Sequence, residues 1–254
     1  MSTHPTSIRR IAIVNRGEAA MRLIHAVREL NAEHPAETPI EVIALHTTGE
    51  ADAMFAREAD ITYDLGPAVE RPYINLPLLE KALVATKADA AWVGWGFVAE
   101  DPAFANLCER IGITFVGPSA ESMRLLGDKI GSKLIAEEVG VPVAPWSRGG
   151  VDTLEDALRV ANEVGYPLML KATAGGGGRG IQKVTCDADL TDVFDRTRGE
   201  AERAFGSGVV FLESLVTGAR HVEVQVISDG DTAWALGVRD CSIQRRNQKV
   251  IEES

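Results

Sequence analysis

Four consecutive glycines, Gly175-Gly-Gly-Gly178, constrain this chain more than any other stretch. They sit in Lys171-Ala-Thr-Ala-Gly-Gly-Gly-Gly-Arg-Gly180, between an apolar run, Tyr166-Pro-Leu-Met-Leu170, and a mixed run, Ile181-Gln-Lys-Val184. Glycine gives the backbone its widest choice of φ and ψ at an entropic cost. Such a cost is tolerable where backbone must approach something closely. With Lys171 before the glycines and Arg179 among them, a polyphosphate is the natural partner: amides point at its oxygens and the cations neutralise it. The bland alternative is a flexible surface hairpin, although flexible linkers are usually built from Gly and Ser without flanking cations. Gly175-x-Gly177-x-x-Gly180 formally matches a dinucleotide fingerprint, but that motif must open a helix. Here a strand-like run follows, and the next helix signal comes only at Asp187. A phosphate loop of the Gly-Lys-Ser/Thr kind is excluded because Gly180 is followed by Ile181. The stretch therefore reads as a glycine-rich flap between two strands.

Several separate motifs now align in order. Gly127-Asp-Lys129 lies upstream of the flap, Arg239-Asp-Cys-Ser-Ile-Gln-Arg-Arg-Asn-Gln-Lys249 lies downstream, and Asn15-Arg-Gly-Glu18 stands near the start. Together with Lys171 to Gly180 they resemble the biotin carboxylase component of biotin-dependent carboxylases, within the ATP-grasp superfamily. The resemblance runs from about Ile8 to the last residue. It implies an α/β fold: a Rossmann-like parallel-sheet domain over 8–118, a helical linker over 119–150 and an ATP-grasp lid over 151–216. The start of the catalytic half would occupy 217–254.

The residues themselves support the first of these expectations. Apolar runs at Ile11–Val14, Pro39–His46, Ile61–Leu65, Ala90–Gly94 and Ile113–Val116 alternate with helical spacing at 19–30, 51–59, 76–86 and 102–111. Alternating β and α units imply a mostly parallel sheet covered by helices. Arg16 and Glu18 follow the first strand, where open α/β sheets place ligands. They read either as solvated turn charges or, through the resemblance, as residues near the active-site mouth or a subunit contact. The tryptophans of Ala91-Trp-Val-Gly-Trp-Gly-Phe-Val98 read most simply as core packing. This stretch departs from the His-Pro-Gly-Tyr-Gly usual in bacterial members and looks more like the large single-chain acetyl-CoA carboxylases.

Further along, Asp128 is a good N-cap for a second helix after 119. Lys129 then falls in the first turn, where the helix dipole favours anions. That placement makes sense if lysine and helix amides share an anionic ligand, and otherwise it is an exposed lysine. Val141-Pro-Val-Ala-Pro-Trp-Ser-Arg-Gly-Gly150 reads as a linker, and Thr153-Leu-Glu-Asp156 as a capping box opening a helix to about Val164. A helix over 190–205 and a strand over 208–212 complete the lid. Arg220-His-Val-Glu-Val-Gln-Val226 alternates, with Val222, Val224 and Val226 expected on the core side and His221, Glu223 and Gln225 facing a cleft. Ser228-Asp-Gly-Asp231 reads as a hairpin turn.

The resemblance assigns roles at matching positions. Lys129, Lys171, Gly176, Gly177, Gly178, Arg179 and Gly180 would bind ATP phosphates. Glu213, with the backbone of Ser214 and Val216, would hold the adenine. His221 and Gln244 would lie near the nucleotide, and Lys249 would act on bicarbonate or the biotin ureido group. Asn247 replaces the histidine usual in this motif, and its side chain is expected near the nucleotide's ribose or on the adjoining wall. ATP, Mg²⁺ and carrier-bound biotin are the implied cofactors. A biotin carrier domain, a carboxyltransferase and a second copy of the chain are the implied partners. The family's magnesium ligands and catalytic base are expected beyond Ser254, so the chain reads as a fragment inactive by itself. Another ATP-grasp ligase related to carbamoyl-phosphate synthase, or a non-catalytic nucleotide-binding or assembly module, remains the alternative.

Charge and cysteines bound the rest. A net charge of −11 argues against a general nucleic-acid or anionic-membrane surface. Cys108, Cys186 and Cys241 are widely spaced and odd in number, which fits reduced thiols in a cytoplasmic protein. The start has no secretory pattern, and no stretch reaches the ~20 apolar residues of a membrane span.

Overall fold

The computed structural model describes residues 8–35, 37–174, 180–245 and 248–254. The chain divides into two compact units, Met1–Gly127 and Asp128–Ser254. The boundary falls inside the segment expected as a helical linker.

The first unit contains β1 (Arg10–Ile13), α1 (Gly17–Glu33), β2 (Glu41–His46), α2 (Met54–Glu58) and β3 (Ile61–Asp64). It continues with α3 (Leu76–Ala85), β4 (Ala90–Trp92), α4 (Pro102–Arg110), β5 (Thr114–Val116) and α5 (Ala120–Gly127). All strand pairs are parallel, in the order β3-β2-β1-β4-β5. Alternation explains why the strands read as continuous apolar runs. Ala12, Val14, Ile43 and Leu45 enter one core cluster, whereas Ile11, Ile13, Val42 and Ala44 enter another across the sheet. A parallel sheet covered on both faces buries both sets. The strand order reverses between β1 and β4. There the buried Asn15 closes the gap, donating from Nδ2 to the carbonyls of Val93 (2.7 Å) and Trp95 (2.9 Å). The tryptophans do not both serve the core as expected. Trp92 is partly buried, but Trp95 follows the strand's end on a turn at Gly94 and stands exposed.

The second unit opens with α6 (Lys129–Glu138), then α7 (Leu154–Val164), β6 (Leu168–Ala172), β7 (Ile181–Val184), α8 (Asp187–Phe205) and β8 (Val210–Ser214). Strands β7-β6-β8 form an antiparallel sheet. Leu168, Leu170, Val184, Val210 and Leu212 bury one face against Ala157, Val160 and Ala161 of α7 and Leu190 and Phe194 of α8. The glycine stretch thus joins two neighbouring antiparallel strands, as the sequence implies. The Thr153 hydroxyl caps α7 by accepting from the Asp156 amide at 3.1 Å. The proline- and glycine-rich stretch before it is not a bare linker. Residues 145–151 line the free edge of β8, through Ser214 N to Pro145 O (2.8 Å), Ser147 N to Leu212 O (2.9 Å) and Val151 N to Val210 O (2.8 Å). An edge strand left open would carry unpaired amides and carbonyls.

The last strands, β9 (Val222–Ser228), β10 (Ala233–Arg245) and β11 (Gln248–Glu253), make a separate antiparallel sheet in the order β11-β10-β9. Asp229 closes the expected hairpin by accepting from the amides of Asp231 (3.0 Å) and Thr232 (2.8 Å). The valine face is not core here. Val222, Val224 and Val226 are 48%, 52% and 55% exposed. Period-two alternation says which residues share a side and leaves open which side is covered; no described element covers this one. Gln244 and Arg245 end β10 and Lys249 lies near the start of β11, with Gln244 opposite Lys249. Among the described residues no helix is long and apolar enough to cross a membrane.

Candidate functional site

The site grows from the face of the β6–β8 pair opposite α7 and α8. On β6, Leu168, Leu170 and Ala172 point into the core, so Met169 and Lys171 take the other side. On β8 the same alternation turns Glu213 out while Leu212 stays buried. Because Met169 pairs with Glu213 and Lys171 with Phe211, Lys171 and Glu213 are diagonal neighbours. The Lys171 ammonium donates to Glu213 Oε1.

Helix α6 brings two more cations. Asp128 caps it, accepting from the amides of Ile130 (3.4 Å) and Gly131 (2.8 Å). Lys129, its first residue, reaches the carbonyl of Ala172 at the end of β6, 3.2 Å away. Lys133, one turn on, meets Glu213 Oε2 at 2.9 Å. Three lysines thus converge on one carboxylate and one strand end. Burial raises the Glu213 pKa, but the hydrogen bonds from Lys171 and Lys133 outweigh it and hold the group below its ordinary range. Burial pulls Lys129 down, as does the nearby Lys171 charge, while Glu213 opposes both.

Gly180 ends the glycine stretch. Its carbonyl accepts from the Ala172 amide at 2.8 Å, its φ is +69°, and a Cβ there would lie 2.9 Å from the Ala172 Cβ. Only glycine suits this closure beside the lysines. Gly176, Gly177, Gly178 and Arg179 lie outside the described residues, as do Arg246 and Asn247.

Past Glu213 the backbone has narrowed its options. The Ser214 amide is bonded to Pro145 O, and the Leu215 amide to Pro167 O at 3.0 Å. The donor left to a ligand edge is the amide of Val216, which has no partner among the described residues and an exposed side chain.

The remaining expected residues gather elsewhere, on the β9–β10–β11 sheet. His221 Nδ1 and Gln244 Nε2 are 2.7 Å apart, and Gln244 also donates to the Cys241 carbonyl at 2.9 Å. Glu223 lies between cations. Lys249 donates to its Oε2 at 2.5 Å, and Arg239 Nε donates to Oε1 at 2.9 Å. Those hydrogen bonds, Lys249's first, lower the Glu223 pKa to about 2. Among the described residues no hydrogen bond or ion pair joins this cluster to the Lys129–Lys171–Glu213 group, and no cluster of His, Cys, Asp or Glu would hold a metal ion. In the first unit, Arg16 braces Glu50 at 2.7 Å, and Glu18 sits 3.8 Å from Arg22.

Sequence reasoning missed Lys133. Its signal is the spacing Lys129-x-x-x-Lys133: like charges at i and i+4 on one helix face repel unless an anion lies between or beside them.

Comparison with known proteins adds an independent finding. Residues 7–123 match the family model for the biotin carboxylase N-terminal domain, and residues 128–254 match that for the carbamoyl-phosphate synthase L chain ATP-binding domain. Biotin carboxylase of Pseudomonas aeruginosa is 44% identical over 250 residues, 97% of this chain and 54% of that protein. The crystal structure of a biotin carboxylase–β-γ-ATP complex from Campylobacter jejuni superposes with a TM-score of 0.89 at 38% identity, over 97% of this chain and 54% of that one. The biotin carboxylase domain dimer of Hydrogenobacter thermophilus 2-oxoglutarate carboxylase, bound to MgADP, ADP and bicarbonate, gives 0.86 at 39%, over 97% and 53%. The chain spans about half the length of the curated relatives it matches.

Proposed function

Since this chain belongs to the biotin carboxylase family of ATP-grasp proteins, we propose that its second unit binds ATP for the carboxylation of biotin with bicarbonate. The observation that carries the reading is the convergence of Lys129 and Lys171 at the end of β6, where the glycine stretch begins. Lys129 also opens α6, at the end of the helix where the dipole favours an anion.

In the proposed reaction, bicarbonate oxygen attacks the γ-phosphorus of ATP and the bond to ADP breaks. Carboxyphosphate forms and splits into phosphate and carbon dioxide, and the biotin N1 bonds that carbon as its proton passes to a base such as the released phosphate. The barrier is mainly the approach of one anion to another, which clustered cations lower. Lys129 and Lys171 would neutralise the phosphates, and Gly176 to Gly180 with Arg179 would cover them and exclude water. Magnesium would supply further charge on the phosphates, as MgADP in the Hydrogenobacter domain supports. The Val216 amide would read the adenine edge with Glu213 and the Ser214 backbone beside it. His221 and Gln244 would line the nucleotide, and Lys249 would hold bicarbonate or the biotin ureido group.

The acceptor we place first is acetyl-CoA or another acyl-CoA, in fatty acid synthesis in the cytoplasm. The Trp92-Val-Gly-Trp-Gly96 resemblance supports this, while the 2-oxoglutarate carboxylase relative keeps a 2-oxo acid as the second reading. A biotin carrier domain and a carboxyltransferase would be the partners, with a second copy of the chain as in the Hydrogenobacter dimer. The test is ATP hydrolysis by the native protein with bicarbonate and free biotin added or withheld. Dependence on both supports the reading; hydrolysis indifferent to both overturns it.

A further inference from the structure

Glu213 offers its two carboxylate oxygens to two different lysines. Lys171 takes Oε1, and Lys133 takes Oε2 at 2.9 Å. The Lys133 and Glu213 side chains are only 19% and 12% exposed, so their pairing is shielded from solvent. Lys133 is also held independently of Lys171. Its ammonium sits 5.4 Å from the ring centroid of buried Trp146, a cation–π contact. Trp146 is itself fixed, donating from Nε1 to Glu137 at 3.0 Å and meeting Phe211 edge-on at 6.1 Å.

This arrangement poses a problem for nucleotide binding. If Lys171 serves a phosphate, it must give up Glu213 Oε1. A largely buried carboxylate that lost its sole counterion would resist that exchange strongly. We propose that Lys133 is a positioning residue of the nucleotide site: by keeping Glu213 Oε2, it lets Lys171 leave Oε1 for a phosphate without stranding the carboxylate. The inference rests on the nucleotide-binding reading given above. It gives α6 two tasks on one face, Lys129 at the strand end and Lys133 at the Glu213 carboxylate one turn away.

The experiment is a double-mutant cycle read by calorimetric titration with two probes, ADP and inorganic tripolyphosphate. The second has no adenine, so it isolates the phosphate exchange from base recognition. Lys133→Met should weaken both probes by at least about tenfold. Lys133→Arg should restore affinity to within about threefold, because the guanidinium keeps the charge and the ring contact. In a Glu213→Gln background, where no carboxylate can be stranded, adding Lys133→Met should change affinity by less than about threefold. If Lys133→Met does not fold, Lys133→Gln takes its place in the cycle. Unchanged binding in the single variant overturns the inference. So does an equal loss in both backgrounds, which makes Lys133 a plain long-range charge on the phosphate. Failure of the two readings is separable. If the unsubstituted chain binds neither probe, the nucleotide site itself falls. If it binds both and loses them in Lys171→Met but not in Lys133→Met, only the role of Lys133 falls.

Discussion

At Gly180 one missing Cβ decides whether the chain can lie against the end of β6. Its φ of +69° and the 2.9 Å approach to Ala172 leave no relaxed place for a side chain. Gly180→Ala should cost about 1–3 kcal/mol in urea denaturation. Gly149→Ala, where a Cβ meets nothing within 4 Å, should stay within about 1 kcal/mol of the parent. Equal stabilities would refute the strain argument. Glu223 makes a pH prediction. Its ordinary value, 4.5, falls to about 2 because Lys249 on β11 and Arg239 on β10 hydrogen-bond the ionised form. A depressed carboxylate stabilises the fold above its unfolded pKa and loses that contribution as pH falls through the folded one. Melting temperature measured from pH 4.5 down to about 2 should therefore fall less steeply in Glu223→Gln than in the parent. Identical slopes would show that the pair does nothing for the folded state.

Among the elements, α6 matters most, since it aims Lys129 and Lys133. Asp128→Ala removes the acceptor for Ile130 and Gly131 and should cost about 1 kcal/mol by thermal or urea denaturation. A loss below about 0.3 kcal/mol would mean that the cap is idle. This helix start was legible in the sequence because Asp128 is both a capping residue and the neighbour of a misplaced lysine. The parallel strands were legible for a different reason: Ile11 to Val14 are apolar on both sides, as a doubly covered sheet demands. The edge at 145–151 was not, because its bonds to β8 run through backbone that composition does not report. Nor was the side on which Val222, Val224 and Val226 lie, since alternation fixes a face without saying what covers it. Lys171 and Glu213 were each legible as candidates. Their pairing with Lys133 depends on strand register and helix placement, which residue types alone do not specify.

For the molecule as a whole, each compact unit has hydrophobic clusters of its own, and the sequence divides between two family models close to the same point. Everything proposed for the second unit depends on its binding a nucleotide through the cations on α6 and β6. The direct measurement is calorimetric titration of MgADP into the 254-residue chain and its Lys171→Met and Lys129→Met variants, with melting temperatures of the free proteins taken alongside. Binding by the parent, weakened by about tenfold or more in each variant while the melting temperatures stay close, is the predicted result. No binding by the parent, or equal affinity in all three proteins, would contradict it.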